Sequence, residues 1–233
     1  MDTEFSAKIL YEDNHLLIIN KACGELAQND KTGDHSLLDS ARDYLKAKYN
    51  KPGGVFIGLP HRLDRPSSGI VILARTSKAL SRLNEKFRTS NVKKKYLAIV
   101  CSPPPRDSDT LENYLYKNEK QNKSYVCDSN KKGAKKAVLS YRLIGSGDKY
   151  YCLEIDLHTG RHHQIRCQLA HIGCVIKGDL KYGAVRSNKN GGIDLHAVSV
   201  SFTHPVSGKE LTVQAPPPDN NLWAVLCSSY AIN

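Results

Sequence analysis

The chain has 233 residues, with 34 lysines and arginines against 23 aspartates and glutamates, a formal net charge of +11. At 40% hydrophobic and 24% charged residues its composition is globular, and a chain of this length buries roughly 70–75% of its unfolded surface without a disulfide or metal staple. No apolar run approaches the roughly 20 residues of a membrane helix, and Met1-Asp2-Thr3-Glu4 lacks the opening of a signal peptide. A membrane protein is excluded, and a cytoplasmic one is expected.

Two strand-like runs, Lys8–Glu12 and His15–Asn20, flank the turn-prone Asp13-Asn14 and predict an opening hairpin. Leu37, Leu38, Ala41, Tyr44 and Leu45 recur at helical spacing, predicting a helix over Ser36–Tyr49 that ends before Pro52-Gly53-Gly54. A strand-like run, Val55–Leu59, a polar segment, His61–Ser68, and a second apolar run, Ile70–Ala74, follow. Ser77 reads as the N-cap of a helix with Leu80, Leu83 and Phe87 on one face. Next come a strand at Tyr96–Cys101, a turn at Pro103–Pro105 and a lysine-rich region around Tyr125. Ala137–Leu143 and Tyr151–Leu157 alternate with a period of two and join through Gly145-Ser146-Gly147-Asp148. A short helix over His162–Ile172, closed by Gly173, precedes strands near 193–202 and 209–215 and a final helix over Asn221–Cys227. No internal repeat, low-complexity tract or linker interrupts the chain. Hairpin-linked strands outnumber helices, which predicts an α+β fold with a mixed sheet and not a strict βαβ alternation.

The surplus charge favours a polyanionic partner. Residues 117–136 hold seven lysines against Glu119 and Asp128, and Lys93-Lys94-Lys95 runs into Tyr96. Basic clusters with aromatic neighbours suit nucleic acid, although a solvated charged face has the same composition. The seven cysteines include no Cys-x-x-Cys pair, so a zinc site is not expected; most read as reduced and buried. Phosphate-loop, dinucleotide-binding, zinc-protease and serine-hydrolase motifs are all missing, leaving side chains to do any chemistry.

Two constellations can supply it. His61-Arg62-Leu63-Asp64-Arg65-Pro66-Ser67-Ser68-Gly69 sets one acid between two arginines. A carboxylate so placed is held ionised, as a nucleophile or base requires; a loop ion pair would look the same. Leu157-His158-Thr159-Gly160-Arg161-His162-His163-Gln164-Ile165-Arg166 turns from strand to helix and gathers three histidines and two arginines. His162 and Arg166, four apart, would share a helical face. Phosphate binding fits this set better than a metal, because no carboxylate stands at ligand spacing.

In order along the chain, these pieces resemble the RluA-type pseudouridine synthases. His15–Lys21 resembles the family's opening strand, His61–Asp64 with Ser68-Gly69 its H-R-L-D-x-x-[TSV]-S-G signature, and Lys94–Val100 its K-x-Y-x-A-x-V strand. Thr159–Arg166 with Gly178-Asp179 and Tyr182-Gly183 is similar to T-G-R-x-H-Q-I-R … G-D-x-x-Y-G, and Leu195–Ala197 with His204-Pro205 to the closing strands. The likeness runs from about residue 8 to 215. Departures are Ala22-Cys23 in place of a Pro-x pair before Gly24, Cys167-Gln168 in place of Val-His, and Val175 in place of proline. They bear on local packing, or on RNA contacts near 167–168.

The resemblance implies a pseudouridine synthase fold with a central active-site cleft, filling residues 1–233 as one catalytic domain without a separate N-terminal RNA-binding domain. It implies an isomerase acting on uridine in ribosomal or transfer RNA, without cofactor or metal, as a monomer. Asp64 would be the essential carboxylate, Arg166 its partner, Tyr96 the ring stacked on the uracil, and Arg62 the holder of the extruded nucleotide. Arg161 and His163 would contact phosphate or brace the site. Lys93, Lys94, Lys131, Lys132, Lys135 and Lys136 would meet the RNA backbone. Two rivals stand beside it: a non-catalytic RNA-binding protein on the same scaffold, and a metal-dependent phosphodiesterase using His158, His162, His163 and Asp64.

Overall fold

In the computed structural model, which describes residues 3–29, 33–228 and 230, ten strands form one sheet. The chain runs α1 (Thr3–Ser6), β1 (Ile9–Glu12), β2 (Leu16–Lys21), α2 (Leu37–Lys48), β3 (Ser68–Ala74), α3 (Ser77–Arg88) and β4 (Lys93–Val100). It continues through β5 (Ser108–Asn118), β6 (Lys123–Cys127), β7 (Lys135–Ser146), β8 (Tyr151–Leu157), α4 (Gln164–His171), β9 (Leu195–Thr203), β10 (Glu210–Gln214) and α5 (Asn221–Leu226). The strand order is β1-β2-β3-β9-β4-β8-β7-β5-β6, with β10 on β9. Among the described residues only the β3–β9 pairing is parallel, so the α+β expectation of a mainly antiparallel mixed sheet holds. No helix among the described residues is long and apolar enough to cross a membrane.

Local chemistry explains the elements. Asp13 Oδ1 accepts hydrogen bonds from the backbone of His15 and Leu16, both 2.7 Å, and so turns β1 into β2. Ser36 and Asp39 form a reciprocal capping box at the start of α2. β3, with the sequence SGIVILA, is buried throughout, as a central strand covered on both faces must be. The core runs from Leu16–Ile19 through Ile70–Ala74 to Leu153, Ile155 and Leu169. On the other face Trp223 and Leu226 of α5 cover Leu97, Ile99, Cys152 and Val198.

Three boundaries differ from expectation. The N-cap of α3 is Thr76, whose hydroxyl accepts from Ala79 N, and not Ser77. β5 lies in a segment whose sequence carries no strand signal. The run Val55–Leu59 contributes one bridge, Gly58 to Ala74, and no strand. The sheet itself accounts for that. β3 and β9 pair through only Ser68–His196 and Gly69–Ala197 before they part. The exposed edge of β3 is then closed piecemeal, Gly58 exchanging hydrogen bonds with Ala74 and His61 Nε2 accepting the amide of Ile72 at 2.9 Å.

Across the sheet, Gly69 of β3, Ala197 of β9 and Tyr96 of β4 stand in one row. Gly69 has φ +111°, and a Cβ there would lie 2.4 Å from the backbone N and O of Ala197. Close approach of the two parallel strands requires glycine. Behind the row, Ser68 Oγ and His196 Nδ1 lie 2.9 Å apart, while His196 Nε2 reaches Ala215 O at 3.3 Å. Gly69→Ala is expected to destabilise the protein by about 2 kcal/mol or more, read as a lower urea midpoint at unchanged slope.

Candidate active site

The segment that enters β3, the start of β4, the end of β8 and the start of α4 surround a cleft of about 520 Å³. Asp64, Arg62, Tyr96, Lys94, Arg161, His163 and Arg166 all line it. The fold thus brings together residues from two motifs a hundred positions apart.

The junction of β8 and α4 is built by side chains that fix its backbone. Thr159 Oγ1 accepts the amide of Val138 at 2.9 Å and donates to Gln164 Oε1 at 2.8 Å. Gln164 Oε1 also accepts the amide of Arg161, and its Nε2 donates to Val138 O. His163, with φ +51°, is the left-handed residue that starts α4. The helix therefore begins at Gln164, and His162 precedes it instead of sharing a face with Arg166.

Arg166 projects from the first turn of α4 and is 5% exposed at its side chain. Its Nε and Nη2 donate to Asp179 Oδ2 and Oδ1 at 2.7 and 2.8 Å, a bidentate pair, and its Nη1 donates to Asp64 Oδ2 at 2.9 Å. Burial opposes the charge, but Asp179 and Asp64 outweigh it and raise the guanidinium pKa. The Tyr182 ring lies 5.1 Å from the guanidinium carbon. Asp64, 29% exposed, keeps Oδ1 without hydrogen bond or ion pair among the described residues. One carboxylate oxygen is anchored and the other is left unbonded, on a residue that lines the cleft.

His163 Nε2 stands 3.5 Å from Asp64 Oδ2, and its Nδ1 is 3.1 Å from the Tyr182 hydroxyl. Burial lowers its pKa to about 3, with Asp64 opposing, so it is a neutral imidazole. His162 stacks on it with centroids 3.8 Å apart and ties to the β5–β6 hairpin through Ser124 and Asn122. Tyr96 is buried, and its phenol pKa is raised first by burial and then by the charge of Asp64. Lys94 has its pKa lowered by burial, with no hydrogen bond or ion pair among the described residues. Arg62 is exposed and likewise unpaired, while Arg161 donates to Lys136 O at 2.8 Å.

Other expected contributors lie elsewhere. Arg65 turns away and bonds to Gly24 O and Asp34. His158 faces Ser140, 2.9 Å away, outside the cleft, which removes it from any shared metal cage with His162, His163 and Asp64. Among the described residues no three His, Cys, Asp or Glu side chains are arranged to hold a metal. Lys93 lines a second groove with Lys95, Arg142, Glu154 and Asp156, and there Lys95 pairs with both acids. Lys131, Lys132, Lys135 and Lys136 sit around the β6–β7 connection, Lys136 paired with Glu112 at 2.8 Å. Cys167 and Gln168 are buried against the β5–β7 sheet, Gln168 bonding to Leu111 O and Asn113, so neither is an RNA contact.

Sequence reasoning missed Asp179, Tyr182 and Lys21 as parts of this assembly. The fully buried Lys21 amine donates to the carbonyls of Ala22, Glu25 and Arg65 and so ties β2 to the Asp64 segment. Its signal was a lysine ending an apolar strand.

Comparison with known proteins agrees with this geometry. The family model described as RNA pseudouridylate synthase matches residues 15–171. The chain belongs to the RNA pseudouridylate synthase family. It is 32% identical to ribosomal large subunit pseudouridine synthase C of Buchnera aphidicola (Baizongia pistaciae), covering 91% of this chain and 67% of that protein. The Vibrio cholerae protein of the same name is 33% identical over 89% of this chain and 65% of its own length. tRNA pseudouridine synthase C of Pectobacterium carotovorum is 29% identical, over 89% and 58%. The chain thus spans about two thirds of the ribosomal relatives. The solved structure of human RNA pseudouridylate synthase domain containing 4 shares the fold, with TM-score 0.78 and 24% identity over 93% of this chain and 90% of that one.

The buried histidines set a pH dependence. Burial lowers His61 to about 3 and His196 to about 4, and His163 shifts the same way. Unfolded imidazoles titrate near 6.5, so between roughly pH 6.5 and 4 the unfolded chain binds more protons and stability falls as pH falls. The loss is expected to reach up to about 2 kcal/mol per imidazole at pH 5 for His61 and His196, measurable as urea midpoints at pH 7 and 5.

Proposed function

We propose that the chain isomerises uridine to pseudouridine within structured RNA, ribosomal or transfer, with Asp64 as the catalytic carboxylate. The supporting observation is the division of labour on Asp64, which lines the cleft together with Tyr96: Oδ2 is held by Arg166, and Oδ1 has no partner among the described residues. In the reaction the bond between the base nitrogen and the ribose breaks, the base turns, and a ring carbon joins the ribose. The carbon loses a proton and the nitrogen gains one, so no redox partner enters. Attack on ribose, addition to the ring and removal of a ribose proton all need an unprotonated carboxylate oxygen, and Oδ1 is the oxygen that Arg166 leaves unbonded.

The other cleft residues fit roles around that oxygen. The Tyr96 ring offers a flat apolar face for the uracil. Arg62, exposed at the rim and unpaired, suits the phosphate or the space left by the extruded nucleotide. Lys94, half-buried and without an anion among the described residues, is the cation a phosphate would relieve. Arg161 and His163 act as braces, since both are already tied to protein groups. All these groups come from one chain, and the unit proposed is a cytoplasmic monomer.

Asp64→Asn keeps the shape of the side chain and removes its charge. It is expected to abolish pseudouridine formation on RNA from cells lacking the protein while RNA affinity falls little, and EDTA is expected to change nothing in the unaltered protein. Tyr96→Ala should lower kcat/KM about 5- to 150-fold, the worth of one stacked base, with Tyr96→Phe retaining most of it. An undiminished rate in Asp64→Asn would overturn the assignment of Asp64 as the catalytic carboxylate, whereas no product from the unaltered protein with RNA binding intact would leave the scaffold as an RNA-binding protein.

Affinity should also fall with salt, the logarithmic slope being about −0.7 per single-strand phosphate neutralised. Replacing Lys131, Lys132 and Lys135 by glutamine is expected to flatten that slope. An unaltered slope would mean these lysines only solvate the surface.

A further inference from the structure

The β5–β6 hairpin has two unlike faces. One packs on α4, where Leu115 of the hairpin joins Ala137 of β7, Cys167 of α4 and Tyr182 in one cluster. The other carries Tyr114, Tyr116 and Tyr125. Tyr116 and Tyr125 are directly paired across the strands, and Tyr114 lies two residues from Tyr116 on the same side. Tyr114 and Tyr125 are 37% and 38% exposed, among the few large apolar side chains left in solvent. Cations accompany them: Lys131 Nζ lies 4.3 Å from the Tyr116 centroid and Lys123 Nζ 5.3 Å from that of Tyr125. A structural hairpin has no need to expose these rings.

The hairpin also touches the cleft, through its turn and its inner face. In the hairpin turn Asn122 Oδ1 is 3.1 Å from His162 Nε2, and on the inner face of β6 Ser124 Oγ is 2.9 Å from His162 Nδ1. His162 in turn stacks on His163, beside Asp64. A strand leaving the cleft over this turn would next meet the tyrosines.

We infer that the outer face of the β5–β6 hairpin is a second RNA-binding surface, on which Tyr114, Tyr116 and Tyr125 stack unpaired bases of the substrate while the adjacent lysines meet its phosphates. Aromatic rings beside cations suit a single strand, because every base has a stacking face and every linkage a charge. The surface is sequence-tolerant and adds affinity without touching the reacting nucleotide. The inference rests on the proposed function for the identity of the RNA, but not on Asp64.

The test pairs Tyr114→Ala/Tyr125→Ala with Tyr114→Phe/Tyr125→Phe, both in the full chain. The probe for binding is an oligouridylate of about 12 nucleotides, a length within the usual range of single-strand sites. The alanine pair is expected to bind it about 10-fold or more weakly, and to raise KM on RNA from cells lacking the protein at unchanged kcat. The phenylalanine pair is expected to behave as the original. Circular dichroism and urea midpoints matching the original would assign the loss to the surface. Unchanged affinity in the alanine pair would overturn the inference, and so would equal loss in the phenylalanine pair, which would make the hydroxyls the contact. Full RNA affinity with altered self-association in sedimentation would assign the face to a second copy and overturn it too. If the original protein binds the oligouridylate through these tyrosines yet forms no pseudouridine, the proposed function fails and the surface stands.

Discussion

The arrangement of the cleft depends on one buried guanidinium shared by two carboxylates. Arg166 spends two donors on Asp179 and a third on Asp64. Asp179 is 1% exposed, so its pairing with Arg166 is desolvated, and removing one partner would strand the other's charge in the interior. Pairing inside protein resists screening better than surface pairing. Asp179 thus fixes the arginine, and the arginine fixes Asp64. Because the anchor holds only one oxygen of Asp64, the other is positioned without being consumed.

That geometry requires the sheet to part at one place. Continuous β3–β9 pairing would close the space between the Asp64 segment and the strands beyond it. Two residue pairs, with glycine at the second of them, bring Tyr96 within one strand of the β3 start and then let the strands diverge. Divergence leaves backbone donors on β3, and buried amides need partners. His61 supplies one. The first residue of the signature is thereby explained as a backbone partner: its Nε2 accepts a hydrogen bond, its ring stacks on Phe87 at 4.5 Å, and burial keeps it neutral.

Much of this was legible in the sequence, because period-two and helical spacing report burial directly. β7, β8, α2 and α5 emerged close to their true limits for that reason. β5 did not, since its Ser-Asp-Thr-Leu-Glu-Asn-Tyr-Leu-Tyr-Lys-Asn run carries polar residues on both faces and one buried leucine, Leu115. Val55–Leu59 failed the other way, apolar enough for a strand but offered only one backbone pair by β3. At the site, local spacing alone set Asp64 beside Arg62 and Arg65, and only the family resemblance named Arg166 as its partner, as the structure has it. Arg65 is its neighbour in sequence and Arg166 its partner in space, 102 residues away. Proximity along a loop is a poor guide to pairing when the loop's outer residues point to solvent.

The charge surplus divides along the same lines. Arg65, Arg75, Arg166, Lys48 and Lys95 are each engaged with acids within the fold, so they contribute little field beyond their partners. The positive potential that reaches an approaching polyanion comes from cations without such partners. Arg62 and Lys94 lie at the cleft, while Lys123 and Lys131 lie over tyrosine rings on the hairpin. A cation over an aromatic face keeps its full charge while being held in position. The hairpin can therefore attract a strand at long range and grip its bases at contact, two tasks that a lysine cluster without rings could not combine.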